Sequence, residues 1–236
     1  MPIARPITCC AALILIAGAG NAAPTTETSG AAISSARGNE PGWSMQITGA
    51  EIRLVLDYGE RQIEVKLPPA EDIDGATVYR LPDEDITVTI IAQGCTDDMT
   101  GMPYPATVRL DIGDRELRGC GGEPRALLEG PEWQISSLGG EPLPESVSVT
   151  IQFLEDDRVA GTSGCNRFMG AYELTGEGLS FGQLAGTMMA CPPPQMDVER
   201  RFLELMGEVI GFDRPDDGSL VLATSSGQRI NAKPKR

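Results

Sequence analysis

Histidine is entirely absent from these 236 residues. With it goes the usual base of Ser-His-Asp and Cys-His sites, and the commonest neutral metal ligand. A serine–lysine arrangement would have to use Lys66, Lys233 or Lys235, the chain's only lysines. The first falls on the polar face of a strand-like stretch and the other two in a basic tail. Paired carboxylates can hydrolyse a glycosidic bond across a cleft, and acids cluster at Glu71-Asp72-x-Asp74, Asp83-Glu84-Asp85, Asp97-Asp98, Asp156-Asp157 and Asp216-Asp217. Most of these adjoin Pro or Gly, where Asp caps the backbone of a turn. None has the spacing of a calcium loop. The sequence therefore predicts no enzyme activity, no metal and no cofactor, with an acid-pair hydrolase as the most distant alternative.

The densest unusual run is Gly161-Thr162-Ser163-Gly164-Cys165-Asn166-Arg167-Phe168-Met169-Gly170-Ala171-Tyr172. Its glycines permit tight bends, Asn166 can satisfy nearby backbone groups, and Arg167 offers a rigid fork of donors for a carboxylate. As a binding corner it would use Gly164, Asn166, Arg167, Gly170 and Tyr172; as a structural feature it is a crosslinked turn between strands, the reading favoured here. Met188 and Met189 can line an apolar groove, since methionine adapts to varied shapes, or fill the core.

The elements that must hold these residues are mostly strands. Ile52, Leu54, Leu56 and Tyr58 alternate with polar positions, and Ile63, Val65 and Leu67 repeat the pattern after a turn. Residues 76–80, 86–92, 106–112 and 116–120 are further strand candidates. In the second half Val147, Val149, Ile151 and Phe153 form the clearest strand, followed by 159–162, 168–173, 179–181, 220–223 and 228–231. One helix is predicted, capped by Asp197, with Val198, Phe202, Leu205, Met206, Val209 and Ile210 on one face and Gly211 as its stop. Glu199 falls on the charged side. Packing of this helix on a sheet is favoured over a membrane surface.

Arg5, an apolar run from Ala11 to Ala19 and a small-residue segment ending at Ala22-Ala23 have the order of a secretory signal. Cleavage after Ala22 or Ala23 is expected, with an uncleaved membrane anchor as the alternative. Cys9 and Cys10 precede the apolar run without the small residue a lipidated cysteine requires. Cys95, Cys120, Cys165 and Cys191 remain, and an even count in an exported chain argues for disulfides. Three pairings are open; Cys95–Cys120 with Cys165–Cys191 is preferred because each stays within one apparent domain. The expected organisation is a signal peptide at 1–22, a flexible linker at 23–41, a β-rich module at 42–125 and a second domain at 130–232. The formal charge of −15 opposes binding to nucleic acid or anionic lipid, and no stable membrane insertion is expected after cleavage.

Gly164-Cys165-Asn166-Arg167-Phe168-x-Gly170-x-Tyr172, then Thr187-x-Met189-Ala190-Cys191-Pro192 and the helix with Glu199, Phe202 and Leu205, strongly resemble the META/HslJ domain family. Trp133, the 147–153 strand and Leu220-Val221-Leu222 extend the likeness over about 130–232. The resemblance implies an antiparallel sheet curved toward a barrel with a helix packed on it, in a family of envelope proteins associated with heat or antibiotic stress and without established catalysis. Residues 42–125 are similar to an uncharacterised bacterial envelope module, through Cys95-x-Asp97-x-Met99, Tyr104-Pro105-Ala106-Thr107-Val108 and Gly119-Cys120-Gly121-Gly122. The predicted class is thus mainly β with one packed helix, as two small antiparallel sheets or partly closed barrels. The expected function is a non-catalytic periplasmic protein that supports stress tolerance by contacting envelope proteins, with capture of a small apolar or cationic ligand as the alternative.

Overall fold

The computed structural model describes Met1 and residues 33–235. The expected signal segment beyond Met1 and the first part of the linker lie outside the described residues. The end of that linker is not a tether, because Ser35–Asn39 forms strand β1 inside a sheet. Its inward residues are Ala36 and Gly38, small enough for the Trp43 ring to lie where a side chain at 38 would stand.

The first half continues with β2 (Gly42–Thr48), β3 (Glu51–Leu56), β4 (Arg61–Lys66), β5 (Glu71–Ile73), β6 (Ala76–Leu81), β7 (Ile86–Ile91), β8 (Cys95–Thr96), β9 (Pro103–Tyr104), β10 (Ala106–Ile112) and β11 (Arg115–Gly121). Nine of these strands form an antiparallel sheet in the order β4-β3-β2-β1-β11-β10-β7-β6-β5, while β8 and β9 pair separately. The edge strands β4 and β5 are consecutive in the chain and joined by Leu67-Pro68-Pro69-Ala70. That connector spans at most about 18 Å, whereas nine strands laid flat would extend about 38 Å. The sheet must therefore curl into a half-barrel. Arg61 of β4 meets Glu84, in the turn before β7, at 2.9 Å across the opening. Met45, Ile52, Leu54, Val88, Ile90, Val108 and Leu110 fill the concave side, from the alternate positions of the strands that carry them.

The second half comprises β12 (Trp133–Leu138), β13 (Glu141–Pro142), β14 (Val149–Leu154), β15 (Arg158–Ser163), β16 (Arg167–Thr175), β17 (Gly178–Phe181), β18 (Ala185–Gly186), helix α1 (Pro193–Met206), β19 (Val209–Asp213), β20 (Leu220–Thr224) and β21 (Arg229–Pro234). The main path runs β17-β16-β15-β14-β12-β21-β20-β19, with β13 beside β12 and β18 beside β16. The path is bent until its ends nearly meet. Gly178 makes the approach possible: its φ of +148° favours glycine, and a Cβ there would collide with the Ile210 carbonyl oxygen. Trp133, Ile151, Phe153, Phe168, Leu222 and Ile230 fill the interior.

Helix α1 packs on this barrel through Phe202, Leu205 and Met206, with the Phe202 ring centroid 5.4 Å from that of Phe168. Its bounds differ from the predicted helix. It begins at Pro193, ahead of Asp197, because proline in a first turn lacks only an N–H that would have no helical partner. It ends at Met206, and Val209 and Ile210 belong to β19, which hydrogen-bonds to β20. Among the described residues no helix is long and apolar enough to cross a membrane.

The expected boundary near 121–130 is a packed connector. A 3-10 turn at Pro124–Leu127 leads to Leu128, which is fully buried and accepts a hydrogen bond from Trp133 Nε1 at 2.8 Å. Met102 and Tyr104, beside the first disulfide, join the second half's hydrophobic cluster.

Candidate functional site

The glycine- and cysteine-rich run becomes the β15–β16 turn, the start of β16, and the places where other segments meet them. Gly164 turns the chain with φ +109°, and a Cβ there would stand 3.1 Å from Val147 Cγ1 and 3.2 Å from the Gln195 carbonyl oxygen. Cys165 is bonded to Cys191, tying this turn to the segment that enters α1. Both disulfides have the preferred pairing, with Cα separations of 5.4 Å for Cys95–Cys120 and 5.9 Å for Cys165–Cys191.

Asn166 is the centre of the corner, and it is buried. Its Oδ1 accepts hydrogen bonds from Thr187 Oγ1 at 2.7 Å and from the Met189 N–H at 2.8 Å. Its Nδ2 donates to Glu199 Oε1 at 2.9 Å and to the Met189 carbonyl at 3.3 Å. Its own N–H donates to Glu199 Oε2 at 2.8 Å, and the Ser163 hydroxyl donates to the same oxygen at 2.5 Å. One amide thus joins the strand turn, the 187–191 segment and the helix. Burial pushes the Glu199 carboxyl up, but hydrogen bonds from Ser163 and Asn166 together outweigh it and hold the group below its ordinary value. Periodicity placed Glu199 on the charged outer side of the helix; in the fold it reaches back into this corner. Ser163 and Thr187 were likewise not singled out. Their signal was only that short hydroxyl residues flank an Asn at a turn.

The remaining candidates do not converge on Asn166. The Arg167 side chain is exposed, and its backbone N–H bonds to Thr187 Oγ1 at 3.2 Å. Gly170 makes room for Leu184, whose Cδ2 lies 2.5 Å from where a Cβ would be. Tyr172 is six strand positions from Asn166, about 20 Å along β16. Its hydroxyl accepts from Arg125 Nη1 at 2.7 Å and donates to Glu129 Oε1 at 3.0 Å. Arg125 also lies over the Tyr172 ring and pairs with Asp157, so it pins the connector to the barrel. Burial, followed by the bond to Glu129, pushes the Tyr172 hydroxyl up to about 12. Met188 and Met189 project into solvent, 99% and 55% exposed, neither filling the core nor lining a groove. Met169 on β16 is 65% exposed, and Met196 in α1 is also exposed.

The carboxylates act within the fold as well. Asp97 is buried and accepts from the Met99 and Thr100 N–H groups, the Thr100 hydroxyl and Asn39 Nδ2, closing the loop beside Cys95. Asp156 and Asp157 occupy left-handed turn positions. No group of three or more Cys, Asp or Glu side chains suited to a metal occurs among the described residues. In chemical terms the corner is a self-satisfied polar clasp with an apolar, sulfur-bearing rim.

Two solved structures are similar to part of this chain. One, described as the NMR structure of the protein from Burkholderia xenovorans, is 26% identical, with a TM-score of 0.40, covering 47% of this chain and 85% of its own. The other, described as an NMR structure of the protein, is 27% identical, with a TM-score of 0.39 and coverages of 46% and 92%. No curated protein matches. The family model described as the META domain matches residues 126–236, beginning within the connector and not at 130. The C-terminal part of this chain is a META domain.

Proposed function

We propose that this is a non-catalytic exported protein of the cell envelope, held in the periplasm after signal cleavage, which supports stress tolerance by contacting another envelope protein. The contact surface in this reading is the methionine rim around Cys165–Cys191. One observation carries it: Ser163, Asn166, Thr187 and Glu199 are hydrogen-bonded to one another, while Met169, Met188 and Met189 face solvent. A catalytic corner would hold a nucleophile or base free to meet substrate, and here Ser163 and Glu199 are bonded to each other. Exposed methionine instead suits an adaptable apolar contact. The two disulfides support placement in an oxidising compartment. The filled barrel interior leaves little room for the alternative, a small apolar or cationic ligand held inside the curved sheet.

A photo-crosslinking side chain at position 188, used in intact envelopes, tests the contact. The expected result is one discrete adduct, suppressed by excess wild-type protein and not by M188D/M189D protein. Chromosomal M188D/M189D should then reproduce the stress sensitivity of a deletion. Adducts that no competitor suppresses, or full stress tolerance in the double variant, would refute the proposal.

A further inference from the structure

The methionines divide sharply between two environments. Met45, Met102 and Met206 are buried in the cores, whereas Met99, Met169, Met188, Met189 and Met196 are exposed. Large exposed side chains are usually varied; here methionine outnumbers Tyr58, Ile73, Leu203 and Ile210 together. Among the described residues the other sulfur and indole groups are withdrawn. Cys95, Cys120, Cys165 and Cys191 are already disulfides, Trp43 and Trp133 are buried, and the chain has no histidine. A two-electron oxidant approaching the described surface therefore meets thioethers as its most reactive targets.

Three of those thioethers belong to two adjoining segments of the META domain. Met169 stands opposite Ala185 and Phe168 opposite Gly186 in the β16–β18 ladder, and beyond them the Thr187 N–H donates to the Arg167 carbonyl at 3.0 Å, one residue before Met188. The clasp holds the Met189 backbone through Asn166, without using its thioether. The Met189 side chain can thus change chemically while its backbone stays fixed.

We propose that Met169, Met188 and Met189 form an oxidant-reactive site that takes oxygen from hydrogen peroxide, organic hydroperoxides or hypochlorous acid. With hydrogen peroxide, a sulfur lone pair attacks one peroxide oxygen and forms the S–O bond as the O–O bond breaks. The departing hydroxide takes the proton of the transferred oxygen and leaves as water. Sulfur loses two electrons, the peroxide gains two, and the thioether becomes a sulfoxide. A dithiol-dependent sulfoxide reductase reverses the step, releasing water and leaving a disulfide on the reductant. The change replaces an apolar rim with polar sulfoxides, so it weakens the contact proposed above; that consequence rests on the contact reading, while the oxygen uptake does not.

Peptide mass mapping of the purified, disulfide-bonded protein during hydrogen peroxide titration is the test. Met169, Met188 and Met189 should each gain one oxygen at least about tenfold faster than Met45, Met102 and Met206, with an unchanged melting temperature. Comparable rates at the buried positions, or loss of the folded transition as the three are oxidised, would overturn the proposal. In the competition assay, oxidised wild-type protein should lose its ability to suppress the position-188 adduct, and sulfoxide reductase with dithiothreitol, followed by removal of the reductant and re-formation of both disulfides, should restore it. M169L/M188L/M189L protein, whatever its starting strength as a competitor, should show no change with peroxide. Equal competition before and after wild-type oxidation would overturn the switching role. Absence of any suppressible adduct would instead refute the contact, and the mapped rates would still decide the oxygen uptake.

Discussion

Replacing Asn166 by alanine removes the side chain that joins three segments, and the structure sets the size of the effect. The Met189 N–H and carbonyl, the Thr187 hydroxyl and Glu199 Oε1 each lose a partner. Thr187 is exposed and can turn to water. The Met189 and Glu199 groups lie in the clasp, and a buried polar group left unpaired costs about 1–3 kcal/mol. Allowing for water entering the vacated space, N166A should destabilise the protein by about 3 kcal/mol. For a unit of this size unfolding as one, that lowers Tm by about 6–12 °C. Thermal unfolding followed by circular dichroism, with the disulfides intact at neutral pH, supplies the value. R167A is the control: its side chain is exposed and its bonded N–H survives, so the change should stay within about 0.5 kcal/mol. If N166A and R167A differ by less than that margin, the clasp does not hold the corner together.

Acid titration tests Glu199, whose folded carboxyl is held below its ordinary value. Its contribution should be fully present above the ordinary carboxylate value of about 4.3 and disappear as pH falls through the lower folded value. The stability gap between wild type and E199Q should accordingly shrink in acid, as urea unfolding across that range would show. G178V forces a side chain against the Ile210 carbonyl at a φ unsuited to valine and should cost about 2–4 kcal/mol; chemical denaturation gives the number, and a loss below 1 kcal/mol would mean that the β17–β19 approach is easily relaxed. In an alkaline absorbance titration Tyr172 should ionise near 12, with Y172F removing that step. Because its folded value is raised, the hydroxyl's contribution is present below the ordinary tyrosine value of about 10 and lost as pH rises through 12.

Much of the fold was legible because half-buried strands advertise themselves by alternation. Ile52, Leu54 and Leu56, and Val149, Ile151 and Phe153, all point inward as their spacing implies. β1 was silent for a physical reason: Ala36 and Gly38 are its buried residues, and neither supplies an apolar signal. Its neighbour β2 did carry one, in Trp43, Met45 and Ile47, which a period-two reading could have caught. The helix was displaced because proline reads as a breaker although the first turn accepts it, and because Val209 and Ile210 happen to continue the helical spacing into β19. At the corner, Asn166 and the cysteines were visible as residue types. Glu199 was not, since periodicity assigns it a helix face and says nothing of a carboxylate reaching a strand turn. Tyr172 shared the motif but serves the connector through Arg125 and Glu129.

Methyl-labelled methionine NMR of the whole protein, titrated with solubilised envelope fraction, bears most directly on the proposed contact surface, because it observes the rim and both cores together. The expected result is selective shifting or broadening of the Met169, Met188 and Met189 methyl signals, reversed by unlabelled wild-type protein, with Met45 and Met206 unmoved. Unchanged rim signals at saturating envelope fraction, or equal changes at rim and core, would contradict it.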